Sequence, residues 1–192
     1  MWPSLFFNHH EGPLHSRALL LAKTLLGEDM AFDFDHVISK PPSKDVDNEF
    51  DWHQDEGYWR LGMGGLTFPD LRAASIWVAL DQADEDNGCL WMVPGSHHHG
   101  YIEHRHVKQG HHTITIDMGT REVEEVALPY PVPAGGAVVN TGRTLHCSKR
   151  NTSHAPRRAY ILNFRPAEMI ALERAHGFDH GKSGLQTLSP PS

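Results

Sequence analysis

The sequence predicts a mainly β fold, a double-stranded β-helix (a cupin-like jelly roll) with a few flanking helices. Three observations lead to this prediction. Short strand-forming segments recur along most of the 192 residues, turn-forming Gly, Pro and Asn separate them, and no regular alternation of strands with helices is present. Many short strands without intervening helices are typical of antiparallel double-sheet folds rather than of parallel α/β sheets.

One helix is predicted before the strands, because apolar residues follow helical spacing over positions 14–26 and Gly27 provides a C-terminal cap. The predicted strands are 31–38, 74–80, 88–93, 113–116, 122–128, 137–140, 145–148 and 158–164. A short second helix is predicted at 167–175, and the Gly- and Ser-rich tail at 176–192 is predicted to be mobile.

The length predicts a single domain over 1–192, with a helical lead-in at 1–29, a barrel core at 30–166 and the short helix and tail at 167–192. The 17 Lys and Arg against 24 Asp and Glu argue against nucleic acid as a partner. No segment approaches the roughly 20 apolar residues of a membrane span. Cys89 and Cys147 form no CxxC pair or disulfide framework, so a cytoplasmic location is expected.

The most informative motif is His53-Gln54-Asp55, together with His146 far downstream. Alternate side chains of a strand share one face, so His53 and Asp55 are expected to face the interior and Gln54 to face outward. His146 lies in an apolar strand context, where an inward imidazole needs a partner. Two imidazoles and one carboxylate are the facial ligand set of non-haem iron(II) oxygenases, which leaves half of the coordination sphere open.

Arg157 follows His146 by eleven residues. If the chain turns at Asn151 and Thr152, antiparallel pairing places Arg157 opposite His146, with Cβ atoms about 5 Å apart. The guanidinium would then lie beyond the metal ligands as a rigid donor to a carboxylate. A keto acid that chelates the metal at one end and carries a carboxylate at the other fits this arrangement.

The spacing alone is weakly specific, because the chain has 16 histidines and His9 with Glu11 repeats it by chance. The other histidine clusters, at 97–99, 104, 106, 111 and 112, are interpreted as solvated loop residues, since zinc sites need four ligands at defined spacing. Two interpretations stay open for Trp52, Tyr58, Trp59 and Trp91. They line a pocket or they fill the core.

Four stretches resemble the phytanoyl-CoA dioxygenase (PhyH) family of iron(II)- and 2-oxoglutarate-dependent oxygenases. They are VISKPP, WHQDEGYW, IWVALDQADEDNGCLWMVPGSHHHG and AGGAVVNTGRTLHCSKRNTSHAPRRAYILNFRP. Their order and spacing match the family, and together they cover roughly residues 30–166, a domain-sized unit.

The resemblance implies that His53, Asp55 and His146 hold Fe(II) and that Arg157 binds the distal carboxylate of 2-oxoglutarate. It implies O2-dependent hydroxylation of a small organic molecule, with release of succinate and CO2. Related halogenases replace the ligand carboxylate by a small residue, so Asp55 favours hydroxylation over halogenation.

The resemblance also implies that Ser148 and Trp77 contact 2-oxoglutarate, the alternative being an inward serine and a core tryptophan. A non-catalytic or truncated metal-binding β-barrel relative is the alternative function, and a cupin-like zinc isomerase would leave Arg157 unexplained. Family members carry a substantial region before the first barrel strands, whereas VISKPP begins here at residue 37. The chain is therefore expected to be either a compact member or an amino-terminal truncation.

Overall fold

The structure is a computed structural model that describes residues 3–5, 12–42, 48–62, 69–108 and 113–180. Its helices are α1 (Pro13–Leu26), α2 (Glu56–Gly62), α3 (Arg121–Val126) and α4 (Ala167–Ala175). Its strands are β1 (Met30–Lys40), β2 (Phe50–His53), β3 (Ala74–Ala79), β4 (Leu90–Met92), β5 (His104–His106), β6 (Ile114–Ile116), β7 (Leu128–Tyr130), β8 (Ala137–Thr141), β9 (His146–Ser148) and β10 (Arg157–Pro166).

Two four-stranded antiparallel sheets form the body of the molecule. The larger sheet has the strand order β1-β10-β3-β8 and the smaller has the order β2-β9-β4-β7, while β5 and β6 pair with each other. Trp77 and Ile161 of the larger sheet share one buried apolar cluster with Leu90 and Met92 of the smaller sheet. The sheets therefore pack face to face, and the predicted jelly roll is confirmed.

The two faces of the larger sheet contact different parts of the molecule. On its outer face, Leu162 and Phe164 of β10 pack against Ala18 and Ala22 of α1. On its inner face, alternate residues of β10 line a cavity between the sheets: Arg157, Ile161 and Asn163. Because both faces are covered, almost every residue of β10 is buried, and these buried residues include the polar side chains of Arg157, Asn163 and Arg165.

Most predicted elements match the observed ones, but the strand predicted at 122–128 is wrong. That segment begins with α3 and continues, after Ala127, into β7. Val123 and Ala127 are buried at a spacing of four residues, while Glu122, Glu124 and Glu125 between and beside them are exposed. This is helical periodicity, and it overrides the strand preference of the valines.

The predicted pairing of His146 with Arg157 is also wrong. β9, which begins at His146, pairs with β2 and β4 in the smaller sheet. β10, which begins at Arg157, pairs with β1 and β3 in the larger sheet. The turn at 151–156 therefore carries the chain from one sheet to the other instead of closing a hairpin. The side chain of Asn151 stabilises this turn by donating to the carbonyls of Lys40 and Ala155.

Within the described residues, no helix combines the length and the apolar character that a membrane span requires.

Candidate metal and co-substrate site

The structure brings His53, Asp55 and His146 together. β2 and β9 are paired so that His53, the last residue of β2, lies directly opposite His146, the first residue of β9. Asp55 Oδ1 lies 3.7 Å from His53 Nε2 and 3.6 Å from His146 Nε2. Three ligand atoms of the types that iron(II) oxygenases use therefore converge on one point at the inner face of the smaller sheet.

The local backbone of the motif differs from the prediction. β2 ends at His53, and Asp55 lies in the turn that leads into α2, so the two residues do not share a strand. Gln54 was predicted to face outward, which is wrong, because it is fully buried. Its side-chain amide donates to the carbonyls of Gly100 and Arg143 and accepts from the amide of Ile102.

Backbone carbonyls fix the orientation of both imidazoles. His53 Nδ1 lies 2.6 Å from the Asp51 carbonyl oxygen, and His146 Nδ1 lies 2.8 Å from that of Thr144. A carbonyl can only accept, so each Nδ1 carries a hydrogen, and each Nε2 is the nitrogen that faces Asp55. Metal-binding histidines are oriented by this kind of hydrogen bond.

Polar residues of the larger sheet hold the other oxygen of Asp55. Ser75 Oγ lies 2.6 Å from Asp55 Oδ2, and Asn140 Nδ2 donates to the same oxygen at 3.3 Å. Ser75 Oγ is also 2.7 Å from the side-chain oxygen of Asn163. With Oδ2 engaged in this way, Oδ1 is the oxygen that faces the two imidazoles.

The electrostatics of this site suit a divalent cation. Burial, followed by the proximity of His146, lowers the pKa of His53 to about 3, so its imidazole is neutral. Burial raises the pKa of Asp55, but the imidazoles and the hydrogen bonds from Ser75 and Asn140 outweigh it, so that this pKa lies below its ordinary value. An ionised carboxylate beside imidazole lone pairs fits the donor set of Fe(II).

A cavity of about 700 Å³ lies between the sheets. All six site residues predicted from the sequence line it: His53, Asp55, Trp77, His146, Ser148 and Arg157. Sequence reasoning missed Ser75, Asn140 and Asn163, which line it as well. Ser75 was within reach of prediction, since it lies two residues before Trp77 on β3 and so shares its inward face.

Arg157 lies in this cavity and is 1% exposed. Its Nη2 donates to the Gly88 carbonyl at 2.9 Å and to Ser148 Oγ at 3.1 Å, and its guanidinium lies 5.0 Å from the centre of the Trp77 ring. Gly88 adopts φ +86°, and a Cβ there would lie 2.5 Å from the Lys149 carbonyl oxygen. A side chain at position 88 would therefore disturb the backbone that receives Arg157.

Among the described residues, no carboxylate forms an ion pair with Arg157, and Asp81 acts on its charge only from a distance. Burial lowers the pKa of Arg157 to about 10, so it is still cationic at neutral pH. Its Nε and Nη1 are buried and have no hydrogen-bond partner among the described residues. A buried cation with unused donors is costly, and an anionic ligand in the cavity would relieve that cost.

A second cluster of ligand-type residues was not predicted. Asp33, Glu173 and His180 also place ligand atoms within 4.8 Å of one another. Here two arginines intervene: Arg165 contacts Glu173 closely and lies 3.9 Å from Asp33 Oδ2, and Arg174 contacts the other oxygen of Asp33. His180 Nε2 lies 3.2 Å from Asp33 Oδ2.

One of the histidines interpreted as solvated loop residues has a structural role. His104 is buried in β5, which makes the interpretation wrong for this residue. Its Nε2 accepts from the amide of Gln54 at 2.8 Å, and its Nδ1 donates to the Ile102 carbonyl. The exposed positions 97–99 agree with the interpretation, while 111 and 112, and likewise His9 and Glu11, lie outside the described residues.

The Phytanoyl-CoA dioxygenase (PhyH) family profile matches residues 5–159 of this chain. The chain belongs to the phytanoyl-CoA dioxygenase family. The resemblance in the sequence is thereby confirmed, and it extends over the β2 to β9 region that carries the three ligand-type residues.

Two relatives show the range of this family. The chain is 40% identical over 106 residues to phytanoyl-CoA dioxygenase domain-containing protein 1 of Danio rerio, covering 53% of this chain and 36% of the relative. It is 29% identical over 172 residues to a probable alpha-ketoglutarate-dependent hypophosphite dioxygenase of Stutzerimonas stutzeri. This match covers 86% of this chain and 56% of the relative. The chain thus spans about a third to a little over half of their lengths.

Among solved structures, EvdO2 of Micromonospora carbonacea var. aurantiaca in complex with 2-oxoglutarate is similar. The TM-score is 0.69 with 32% sequence identity, over 86% of this chain and 63% of EvdO2. The jelly roll of this chain is therefore shared with a family member that binds 2-oxoglutarate.

Proposed function

We propose that this chain is an Fe(II)- and 2-oxoglutarate-dependent oxygenase that hydroxylates a small organic molecule. The observation that carries the proposal is the presence, in one cavity, of three convergent metal-ligand side chains and of a buried arginine with two donors that no described residue accepts. A metal ion and a dicarboxylate that bridges the two sites would satisfy both.

Each residue of the site has a defined task in this proposal. His53, Asp55 and His146 hold Fe(II), with Ser75 and Asn140 holding the second oxygen of Asp55. Bound Fe(II) supplies the redox centre that couples the decarboxylation of 2-oxoglutarate by O2 to hydroxylation of a C–H bond. One oxygen atom enters succinate, the other enters the hydroxylated product, and CO2 is released.

Arg157 binds the distal carboxylate of 2-oxoglutarate in this scheme. Ser148 and Gly88 engage Nη2 and so fix the guanidinium, leaving Nε and Nη1 for the ligand. Trp77 lies against the guanidinium and covers it from one side. The result is a charge-assisted contact in a site shielded from water, where such contacts are strongest.

A non-catalytic metal-binding relative is the second candidate. A binder of this kind would take up metal and 2-oxoglutarate without consuming O2.

The test begins without oxygen. Fe(II) and 2-oxoglutarate added to the protein are expected to give the weak visible charge-transfer band of a chelated keto acid. On admission of air, succinate should form and the band should disappear. A band without succinate would favour the non-catalytic relative, and no band at all would refute the cofactor assignment.

Two variants locate the activity within the cavity. His53→Ala should remove both the band and succinate formation. Arg157→Gln should retain metal binding and weaken 2-oxoglutarate binding by roughly 10- to 100-fold, the value of a hydrogen-bonded charge. Arg158→Gln is the matched control, since Arg158 is the adjacent residue but its side chain is 55% exposed and pairs with Asp81.

A further inference from the structure

Five aromatic side chains from three parts of the chain line the same cavity as the metal ligands. Phe34 lies on β1, Tyr58 and Trp59 lie on α2, and Phe178 and His180 follow α4. We call these five residues the aromatic wall. Part of it comes from the segment predicted as a mobile tail, of which 181–192 lie outside the described residues.

Three rings of the aromatic wall surround His180, while the Tyr58 ring lies edge-on to that of His53 at 5.5 Å. The ring centre of His180 lies 3.9 Å from that of Phe34, 4.7 Å from that of Phe178 and 6.5 Å from that of Trp59. Asp33 fixes this ring by accepting a hydrogen bond from Nε2. Phe34, Trp59 and Phe178 belong to one packed apolar cluster, so a ring that enters the cavity meets an aromatic surface that is already in place.

The cavity offers little to a charged substrate. Apart from the histidines, Asp55 and Arg157 are the only residues with a formal charge among its described lining. The metal and 2-oxoglutarate account for both in the proposed function. A phosphate or carboxylate on the substrate would therefore lose its hydration and gain no counter-charge from these residues.

Asn163 supplies a polar contact within this apolar surface. It is 3% exposed, and its Nδ2 has no hydrogen-bond partner among the described residues. The side-chain amide can also be placed in the flipped orientation, in which Nδ2 donates to Ser75 and the amide oxygen has no hydrogen-bond partner. In either orientation, one end of the amide needs a partner. A neutral hydroxyl or carbonyl group on a ligand meets that need.

The size of the cavity argues in the same direction. About 700 Å³ lies within the range of roughly 300–1,000 Å³ that pockets for drug-sized ligands occupy. This volume also has to hold the metal and 2-oxoglutarate, and a substrate as small as the hypophosphite named for the Stutzerimonas stutzeri relative would not fill the rest.

From these observations we propose that the substrate is an uncharged molecule with an aromatic or similarly flat ring and a hydroxyl or carbonyl group. Its ring stacks on the aromatic wall, and its polar group bonds to Asn163. This inference rests on the proposed function, because that function assigns Arg157 to 2-oxoglutarate.

Calorimetric titration of the oxygen-free protein with Fe(II) and 2-oxoglutarate tests the substrate class. The probes are 2-(2-naphthyl)ethanol, 2-naphthylacetate with the same ring and a charge, 1-decanol without a ring, and octanoyl-CoA. We expect the naphthyl alcohol to bind at least tenfold more tightly than each of the others. Equal or tighter binding of any of the three overturns the proposal.

Variants of the aromatic wall locate the binding. Phe178→Ala should weaken binding of the naphthyl alcohol by roughly 2- to 10-fold, which corresponds to the loss of one aromatic contact. Gly62→Ala should act similarly without truncating the wall, because a Cβ at position 62 would lie 2.4 Å from Phe178 Cε2 and displace that ring. Leu20→Ala, at a position that is 67% exposed on α1, is the control. Unchanged binding in both wall variants overturns the proposal.

Failure of the two proposals is distinguishable. The charge-transfer band reports on Fe(II) and 2-oxoglutarate alone, so its absence refutes the proposed function. The titrations are repeated with metal-free Arg157→Gln without 2-oxoglutarate, so that neither the guanidinium nor Fe(II) is present to attract 2-naphthylacetate. The preference for the naphthyl alcohol should persist there, and its loss overturns the substrate class whatever the band shows.

Discussion

Two buried clusters in this molecule each combine histidine and carboxylate, and they differ in charge. At His53, Asp55 and His146, one carboxylate faces two imidazoles and no Lys or Arg pairs with it in the described structure. At Asp33 and Glu173, Arg165 and Arg174 already balance both carboxylates. In the described residues, the second cluster therefore has a guanidinium group for each carboxylate, and the first has none.

The comparison shows that ligand atoms within reach of one another do not by themselves make a metal site. A cation entering the second cluster would have to compete with two guanidinium groups for the same oxygens. At the first cluster, the backbone carbonyls that accept from Nδ1 have already turned both Nε2 lone pairs toward Asp55. A candidate metal site therefore differs from a structural ion-pair cluster in its local charge balance and in the orientation of its imidazoles.

The largest expected effect is on metal content. Wild-type protein should bind one equivalent of Fe(II), or of Co(II) as a spectroscopic substitute, and Asp55→Ala should bind none that is detectable. Glu173→Gln should retain the full equivalent, because its cluster holds no metal. Metal analysis after gel filtration measures this, and a second equivalent that Glu173→Gln removes would contradict the comparison.

The next effect is on stability and concerns the second cluster. Arg165→Met should lower the free energy of unfolding by about 3–5 kcal/mol, because it leaves buried carboxylates without one of their two partners. Urea unfolding without metal measures the change. Arg121→Met is the control, since Arg121 is 93% exposed and its pair with Glu125 contributes at most about 1 kcal/mol. Equal losses of stability in the two variants would show that the buried ion pairs of Arg165 do not stabilise the fold.

A smaller effect is expected from the hydroxyl that holds Asp55. Ser75→Ala removes the contact to Oδ2 and should lower metal affinity by about 10- to 100-fold, the usual cost of losing a partner of a metal ligand. Competition with a chelator dye measures the affinity. Ser16→Ala serves as the matched control, because Ser16 is exposed on α1, and it should leave the affinity unchanged. Unaltered affinity in Ser75→Ala would mean that Asn140 alone fixes the carboxylate.

The smallest effect is a pH dependence at the second cluster. Burial lowers the pKa of His180 more than Asp33 raises it, so the folded protein holds this imidazole neutral. The unfolded chain binds the proton more readily, and stability should therefore fall as the pH drops below about 6.5. In His180→Asn the melting temperature should depend less steeply on pH between about 7 and 5. Identical slopes would mean that His180 does not contribute.

The sequence predicted residues that the structure brings into one cavity, but not the way in which the fold assembles them. His53, Asp55, His146 and Arg157 stand out because their chemical types are rare together in this order. The strand end at His53 was not foreseeable from alternation, since a turn carries Asp55 to the same point. The crossing between sheets at 151–156 was also hidden, because a local turn signal does not say which sheet the next strand joins.

The second cluster was beyond prediction for a different reason. Asp33 and His180 are almost 150 positions apart, and neither lies in a recognisable motif. Only the three-dimensional packing of β1 against β10 and α4 brings them together. Ser75 was more predictable than the second cluster and less so than the metal-ligand motif. Its inward direction follows from that of Trp77, two residues later on the same strand.

The buried side chain of Gln54 has a consequence for the order in which the protein matures. Its hydrogen bonds reach Gly100, Ile102 and Arg143, which are 46 to 89 positions away along the chain. The segment between His53 and Asp55 is therefore held in place only after these distant loops have docked. A nascent or partly unfolded chain would not bring His53, Asp55 and His146 together, so the candidate metal site would form only once these loops have folded.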